Sequence, residues 1–575
     1  MLNARLLTRL NHFLLSLSLI IGYFSLMHLA SPRIFYAVRR VSVSEFFRLS
    51  WPPLPFLGVA LTIPFLILSE RRLAAVSMIV LVAMTMLEYG FQLAASLCWI
   101  LFEIFLTRRS IDFNETVKTL SILTLVYTVM VVIYLAAYPL LTLETPLLDR
   151  AALTWVKAYA TLQPLGALSY VLMPFGAFLP VYVGMLRRRS LRPVFNKGGV
   201  RVQEFLSVKQ CRILLLSSVF LSAYLSVYSY LPRLNPGLNP TGVDIVSYAP
   251  RLEALSNCKD PVGFAFANLS DRPLFYLLLH ALQRATGLSV IQTLEAAPVI
   301  WMMGLTLSYY FLSLSLLGSR SLATLAAFLS TAGIQASVGL YSSYQANMVA
   351  LIMVNILAGA ALSFKEGLLK HVIVSALSFL TPMIHPYTGV QYFAMLAMAL
   401  IFSFWRKRDK SDLKTLVLII VSALLSNVFT SIMAHGRGST PLASAASVAT
   451  RMVSLENLSA FAGETVFLFT TLYSSFIANS IYLMLTLYGL TCLLRLETGE
   501  KTRVFLLASS LTLLPVYAMD GLTGSRLFFN LPTPVFSALG VSMVRDRRLS
   551  TMLVAASLCF NLQAVHNLGV LSLPA

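Results

Sequence analysis

Charge is what this sequence has least of. Only 11% of its 575 residues are Asp, Glu, Lys or Arg, where a soluble chain carries roughly a quarter. The polar gaps are too short to build a water-soluble domain with a core of its own. Cysteine is scarce too: there are 5, an odd number, with no CxxC pair, which excludes a disulfide framework and a zinc-finger site. Several chemical signatures are missing: GxGxxG, the Walker lysine loop, HExxH, GxSxG and any DxD pair. These absences count against dinucleotide binding, P-loop hydrolysis, zincin proteolysis and α/β-hydrolase chemistry. Without DxD, a carboxylate-held divalent cation has no local signature; a site assembled from distant carboxylates is the alternative, and no cofactor is expected.

What fills the sequence is apolar. It is 58% hydrophobic with mean hydropathy +0.79. Runs long enough to cross about 30 Å of hydrocarbon lie near 13–30, 51–69, 73–87, 89–106, 118–143 and 159–186. More follow near 213–231, 298–317, 322–340, 345–364, 371–385, 388–404, 415–433, 478–494, 504–519, 528–544 and 551–571. The expected fold is all-α, a polytopic transmembrane bundle of about 17 spans in a cell membrane. The run at 13–30, behind Arg5 and Arg9, is longer than a signal-peptide core and is expected to stay as a helix.

The formal charge of +20 fits loops that collect Lys and Arg on the cytoplasmic side. No nucleic-acid motif accompanies it, so the expected partner is the lipid bilayer. The most basic linker, Arg187–Arg189, Arg192, Lys197, Arg201, Lys209 and Arg212, also holds Gly198-Gly199. It divides the chain into an N-terminal transmembrane region, 1–200, with about six helices, and a core, 201–575. Taking that linker, Arg406–Lys410, Lys501 with Arg503, and Arg545 with Arg547-Arg548 as cytoplasmic places 232–297 outside. The parity holds if the short run 273–287 does not span, or if one hairpin is miscounted; the run is read as a juxtamembrane helix lying in the interface. Arg33, Arg39, Arg40 and Arg48 then fall on the outer side, against the rule.

The same orientation gathers ionisable residues on the outer face: Asp244, Arg251, Glu253, Asp260, Asp271, Arg272, Glu295, His385, His435, Arg437, Arg451, Glu456, Asp520 and Arg526. Ionisable groups near span ends cost several kcal/mol unless paired or hydrated. An outward cavity would supply acid, base and cation together, as group transfer from a phosphorylated donor requires. Asp244 follows a Pro- and Gly-rich loop that can approach a ligand, or it simply caps the helix it precedes. Asp271-Arg272-Pro273 has the same ambiguity, with Arg272 suited to phosphate. His385-Pro386-Tyr387-Thr388-Gly389 is either a turn or a headgroup contact. Arg526 follows Asp520-Gly-Leu-Thr-Gly in another outer turn, where a local Asp–Arg pair is the alternative to a role in the site, and Glu295 lies where a helix begins.

Val243-Asp244 with Ser247-Tyr248, then Arg272-Pro273-Leu274-Phe275-Tyr276-Leu277-Leu278-Leu279-His280, and His385–Gly389 resemble motifs of the GT-C superfamily of integral membrane glycosyltransferases. That superfamily includes protein O-mannosyltransferases, aminoarabinose transferases of lipid A and the oligosaccharyltransferase catalytic subunit. The resemblance covers 210–545. It implies transfer of a sugar from a polyprenyl-phosphate donor to an acceptor, on the extracytoplasmic side of the cell envelope. It makes Asp244 the base, with Asp271 the second catalytic carboxylate. Arg272, Tyr248, His385, Arg437 and Arg526 become substrate or phosphate contacts, with Arg451 a further candidate. The second acidic motif of metal-dependent members is absent, and so is a soluble C-terminal domain. A transporter or flippase of a lipid-linked or other small substrate is the alternative, in which Glu88 and Glu103 would carry function; a non-catalytic scaffold is a third.

Overall fold

The computed structural model describes residues 204–230, 235, 239–269, 271–434, 478–493, 499–513, 521–544 and most of 550–557. The expected spans before residue 204, most of the one at 551–571, and the candidates His435, Arg437, Arg451, Glu456 and Asp520 lie outside these residues. No strand occurs among the described residues.

Apolar runs become helices, and short polar signals fix their ends. α1 (Val208–Tyr228) starts at a capping box in which Ser207 and Gln210 exchange hydrogen bonds, satisfying two backbone donors that a helix start leaves open. Three short helices follow, α2 (Ile245–Ser256), α3 (Pro261–Asn268) and α4 (Pro273–Thr286), two of them opening on proline. With 14 residues, α4 is too short to cross hydrocarbon, so the run at 273–287 does not span. α5 (Val290–Leu317) starts at a second capping box, Ser289 with Gln292. It begins eight residues before the expected 298, because Pro298 lies inside it. Proline has no N–H for the carbonyl four residues back. Here that carbonyl, Leu294 O, accepts from Gln345 Nε2 at 2.8 Å, so a side chain from another helix restores the bond.

The rest of the chain runs to and fro. α6 (Arg320–Thr331) and α7 (Ile334–Tyr341) form one bent rod broken at Ala332-Gly333. α8 (Gln345–Ser363), α9 (Leu368–Ile384), α10 (Pro386–Lys407) and α11 (Lys410–Met433) follow with short turns. Then come α12 (Ala478–Cys492), α13 (Glu500–Leu511), α14 (Gly521–Phe529) and α15 (Thr533–Ser542). The expected span 528–544 is thus two helices with a break at Asn530–Pro532. Among the described residues six helices are long and apolar enough to cross a membrane: α1, α5, the α6–α7 rod, α8, α10 and α11. The rod's apolar stretch is 100% buried, against 28% in α1 and α11, so the rod is central and those two are peripheral.

Between helices already in hydrocarbon, close packing and polar contacts hold the bundle together. α12 and α15 pack against each other through Gly489 and Gly540. A Cβ on Gly489 would come within 1.8 Å of Phe536 O, and one on Gly540 within 2.3 Å of Leu485 O. Only glycine allows this approach.

Polar ties sort the helix ends into two sets. At a basic end, Glu204 accepts from the N–H groups of Arg320 and Ser321, and Ser363 Oγ donates to Ser315 O. There Glu366 meets Ser411, Lys370, His371 and Lys414, Arg406 pairs with Glu500, and Lys501 pairs with Asp412. At the other end, the loop end, lie α2, α3, α4, the α7–α8 and α9–α10 turns, and α14.

Candidate functional site

The loop end is built around Asp244. Gly242 has φ +121°, and a Cβ there would sit 2.8 Å from Ser343 Cβ. Glycine therefore lets the loop press against the α7–α8 turn, where Ser343 is itself left-handed at φ 52°. Such a residue costs on the order of 1–3 kcal/mol and persists only where its surroundings hold it. The contact is fixed by Asp244 N donating to Ser342 O at 3.2 Å.

Asp244 occupies the N-cap position of α2, but its side chain makes no capping hydrogen bond. The carboxylate instead meets Arg526, which donates from Nη2 to Asp244 Oδ2 at 3.2 Å across 282 residues of sequence. Asp520, the expected local partner, lies outside the described residues; within them Arg526 meets the sequence-distant carboxylate of Asp244. The Arg526 guanidinium lies over the Tyr344 ring at 5.5 Å, and Tyr344 Oη is 2.9 Å from Ser525 Oγ. These contacts fix the fork from both sides. Its Nε is buried with no partner among the described residues.

Arg272 is the second cation. It is the N-cap residue of α4, and neither it nor Asp271 caps that helix with its side chain. Arg272 Nε donates to Asp271 Oδ2 at 2.8 Å, and Nη1 donates to the Tyr248 hydroxyl at 3.3 Å. Tyr248 also lies 5.9 Å below the guanidinium. Alongside, Arg251 Nη1 donates to Tyr276 Oη at 3.1 Å. Tyr248, Phe275 and Tyr276 pack ring against ring at 5.4 to 6.0 Å, so Arg272 rests on a rigid aromatic floor.

Burial and charge oppose each other here. Burial pushes the Asp244 carboxyl above its ordinary value, although Arg526, Arg272 and Arg251 each pull it down. Burial likewise raises the Tyr248 hydroxyl to about 12, which keeps it neutral. For Arg272, burial works against the charge, yet Tyr248, Asp271 and Tyr276 more than offset it, and the guanidinium stays protonated.

His385 lies at the same end of the bundle. It is fully buried in the α9–α10 turn and caps α10, with Nδ1 accepting from Thr388 N at 3.4 Å. Burial, then the charges of Arg272 and Arg526, hold its pKa well below the ordinary value. The ring is therefore neutral, and Nδ1 also lies 2.8 Å from Thr388 Oγ1, so the tautomer follows from which of these two atoms donates. Nε2 is buried without a partner among the described residues. Behind it runs a chain of amides: Thr388 Oγ1 and Asn347 Nδ2 both donate to Asn530 Oδ1, and Asn530 Nδ2 donates to Gln391 Oε1. Arg272 and Arg526, two of the three cations that act on Asp244, also act on His385, which brings Asp244, Tyr248, Asp271, Arg272, His385 and Arg526 to one end of the bundle; Arg437 lies outside the described residues.

Tyr344, Ser525, Asn530, Asn347 and Gln391 were not among the expected site residues. The signal for the three amides was present: an Asn or Gln inside an apolar run needs a buried partner. Among the described residues, no three His, Cys, Asp or Glu side chains are grouped to hold a metal ion.

No family model matches this chain, and no curated protein does. Two solved structures are similar to it. One is the archaeal oligosaccharyltransferase AglB from Archaeoglobus fulgidus, in complex with an inhibitory peptide and a dolichol-phosphate, with TM-score 0.43 and 12% identity over 62% of this chain and 56% of that one. The other is the oligosaccharyltransferase of the same organism in the apo form, with TM-score 0.42 and 12% identity over 64% of this chain and 57% of that one. The chain spans a little over half the length of the structures it matches.

Proposed function

We propose that this membrane protein is a glycosyltransferase of the GT-C kind, which moves a sugar from a polyprenyl-phosphate donor to an acceptor at the extracytoplasmic face. The observation that carries the reading is the convergence of Asp244, Arg272, Arg526 and His385 from four separate elements. They bring one carboxylate whose pKa burial raises together with two cations and a neutral imidazole. A donor phosphate needs cations and N–H groups aimed at the oxygens where charge develops as the glycosidic bond breaks. Arg526 Nε, buried and unpartnered among the described residues, is suited to that task, as is the equally unpartnered His385 Nε2 in the tautomer that carries its hydrogen there, and Arg272 adds a planar fork.

In the step we envisage, the acceptor atom bonds to the anomeric carbon as the bond from that carbon to the phosphate oxygen breaks. The electron pair leaves with the polyprenyl phosphate, and Asp244 takes the acceptor's proton. Arg526 holds Oδ2, which leaves Oδ1 for the proton. Asp271 acts through Arg272 and is a positioning residue. Base removal in such a step costs about 10²–10⁴-fold in rate.

The test is transfer by the purified full chain in vesicles, using synthetic polyprenyl-phosphate sugars as donors. Asp244→Asn should lose activity by about that factor while its thermal unfolding stays near wild type. An Asp244→Asn enzyme with full turnover would sink the assignment of the base.

A further inference from the structure

A surface groove of about 560 Å³ lies at the basic end between α10 and α11, lined by Phe404, Arg408, Lys410, Leu413, Lys414, Val417 and Leu418. Its shape follows from the two-residue turn Arg408-Asp409. Arg408 is left-handed at φ 56°, and Asp409 caps α11 by accepting from Ser411 N at 2.9 Å. This hairpin leaves Arg408 and Lys410 side by side at the rim. The Arg408 guanidinium lies 6.0 Å from the Phe404 ring centroid, and Lys410 has no ion-pair partner among the described residues. Lys414 is drawn toward Glu366 at 3.6 Å and is already partly neutralised.

The floor is apolar and does not stop at the rim. Leu413 and Val417 begin a stripe on α11 that continues through Ile420, Leu424, Val428 and Ile432, each 42% to 66% exposed. At spacings of three and four residues these side chains form one face of the helix, long enough to need hydrocarbon beside it from one interface to the other. Two cations thus stand where an apolar face meets the headgroup layer. This pairing complements a molecule with an anionic phosphate at one end and an acyl chain at the other.

We propose that the groove binds an anionic phospholipid of the leaflet at the basic end. Its phosphate rests between Arg408 and Lys410, and an acyl chain lies along Leu413, Val417 and Leu418. Basic recesses between helices recognise such headgroups, each Lys or Arg near the surface adding attraction. The site lies at the opposite end from Asp244 and is independent of the transfer chemistry.

The experiment is native mass spectrometry of the full chain, delipidated in a neutral detergent and titrated with phosphatidylglycerol or phosphatidylcholine. One phosphatidylglycerol should bind in preference to phosphatidylcholine. Arg408→Gln with Lys410→Gln should reduce that preference about tenfold or more. Lys209→Gln with Arg212→Gln, which removes two charges from α1 at the same end, should leave it intact. Val417→Trp, which fills the floor and keeps the cations, should also weaken phosphatidylglycerol binding. Equal losses from the Lys209/Arg212 pair would show attraction to general surface charge and overturn the site. So would undiminished binding to Val417→Trp. Inorganic phosphate at matched phosphorus should fail to displace the lipid; displacement would mean that the rim binds a free anion and would overturn the lipid assignment.

Discussion

Two carboxylates stand at opposite ends of this bundle, each among cations, and they are shifted in opposite directions. At the basic end, Glu366 is held down to about 2, first by the Ser411 hydroxyl against a smaller effect of burial, then by His371 and Lys370. At the loop end, burial dominates at Asp244 and raises its pKa, although three arginines act on it. The Glu366 side chain is 37% exposed and that of Asp244 is 21% exposed. Similar neighbours therefore give a carboxylate held well below its ordinary pKa where water reaches the group more freely, and one raised above it where burial dominates. The first arrangement suits a staple between helix ends. The second suits a base.

The basic end also holds one ion pair with a fully buried member, and breaking it should have the largest effect on stability. Asp412 is fully buried, and its Oδ1 meets Lys501. Removing one partner of a buried pair strands the other charge, at about 3–5 kcal/mol. Lys501→Met should lower the unfolding midpoint of the full chain by an amount in that range, and Asp412→Leu in the same background should recover most of the loss. If Lys501→Met is silent, the contrast between a structural basic end and a chemical loop end fails.

Next in size is the change that sharpens the contrast at Asp244. Arg526 lowers the Asp244 pKa both through its charge and through its hydrogen bond. Arg526→Gln removes both, so the pKa rises further. A base works only when ionised, so the acidic limb of the transfer rate should move to higher pH, and the maximal rate should fall as a phosphate contact is lost. The same change should reduce stability by roughly 1–3 kcal/mol. Turnover measured across pH reads the first effect and thermal unfolding reads the second. An acidic limb that stays in place would separate Asp244 from the rate.

The loop end was legible in sequence only in part. Asp244, Arg272 and His385 stood out as polar groups at the ends of apolar runs. Their meeting was not legible, because it depends on Arg526 reaching Asp244 across 282 positions and on Gly242 fitting against Ser343. The run at 273–287 was read as non-spanning from charge parity, and the helix it forms, α4, has 14 residues. The early start of α5 was missed because Pro298 looked like a boundary, whereas Gln345 supplies the donor that proline lacks. Likewise, the 528–544 run has spanning hydropathy, yet it is broken at Asn530, whose amide belongs to the buried network behind His385. Hydropathy measures transfer to lipid and carries no information about such cross-helix partners.

The smallest expected effect belongs to Glu366, and its sign is the useful part. Its folded value of about 2 lies below the ordinary 4.5, so the native state favours the ionised form. The resulting stabilisation is present above pH 4.5 and is lost as the pH falls through the interval down to about 2. Because more than a third of the side chain meets solvent, its contribution should stay below about 1 kcal/mol. Glu366→Gln should therefore lower the unfolding midpoint slightly at pH 7 and flatten its decline across that interval, with no change in transfer rate. Asp244→Asn should give the reverse: transfer lost, and stability at neutral pH retained or raised, because a group whose folded pKa is raised disfavours the native state once it ionises. If Glu366→Gln impaired transfer as strongly as Asp244→Asn, the two ends would be coupled, and the division into staple and base would have to be abandoned.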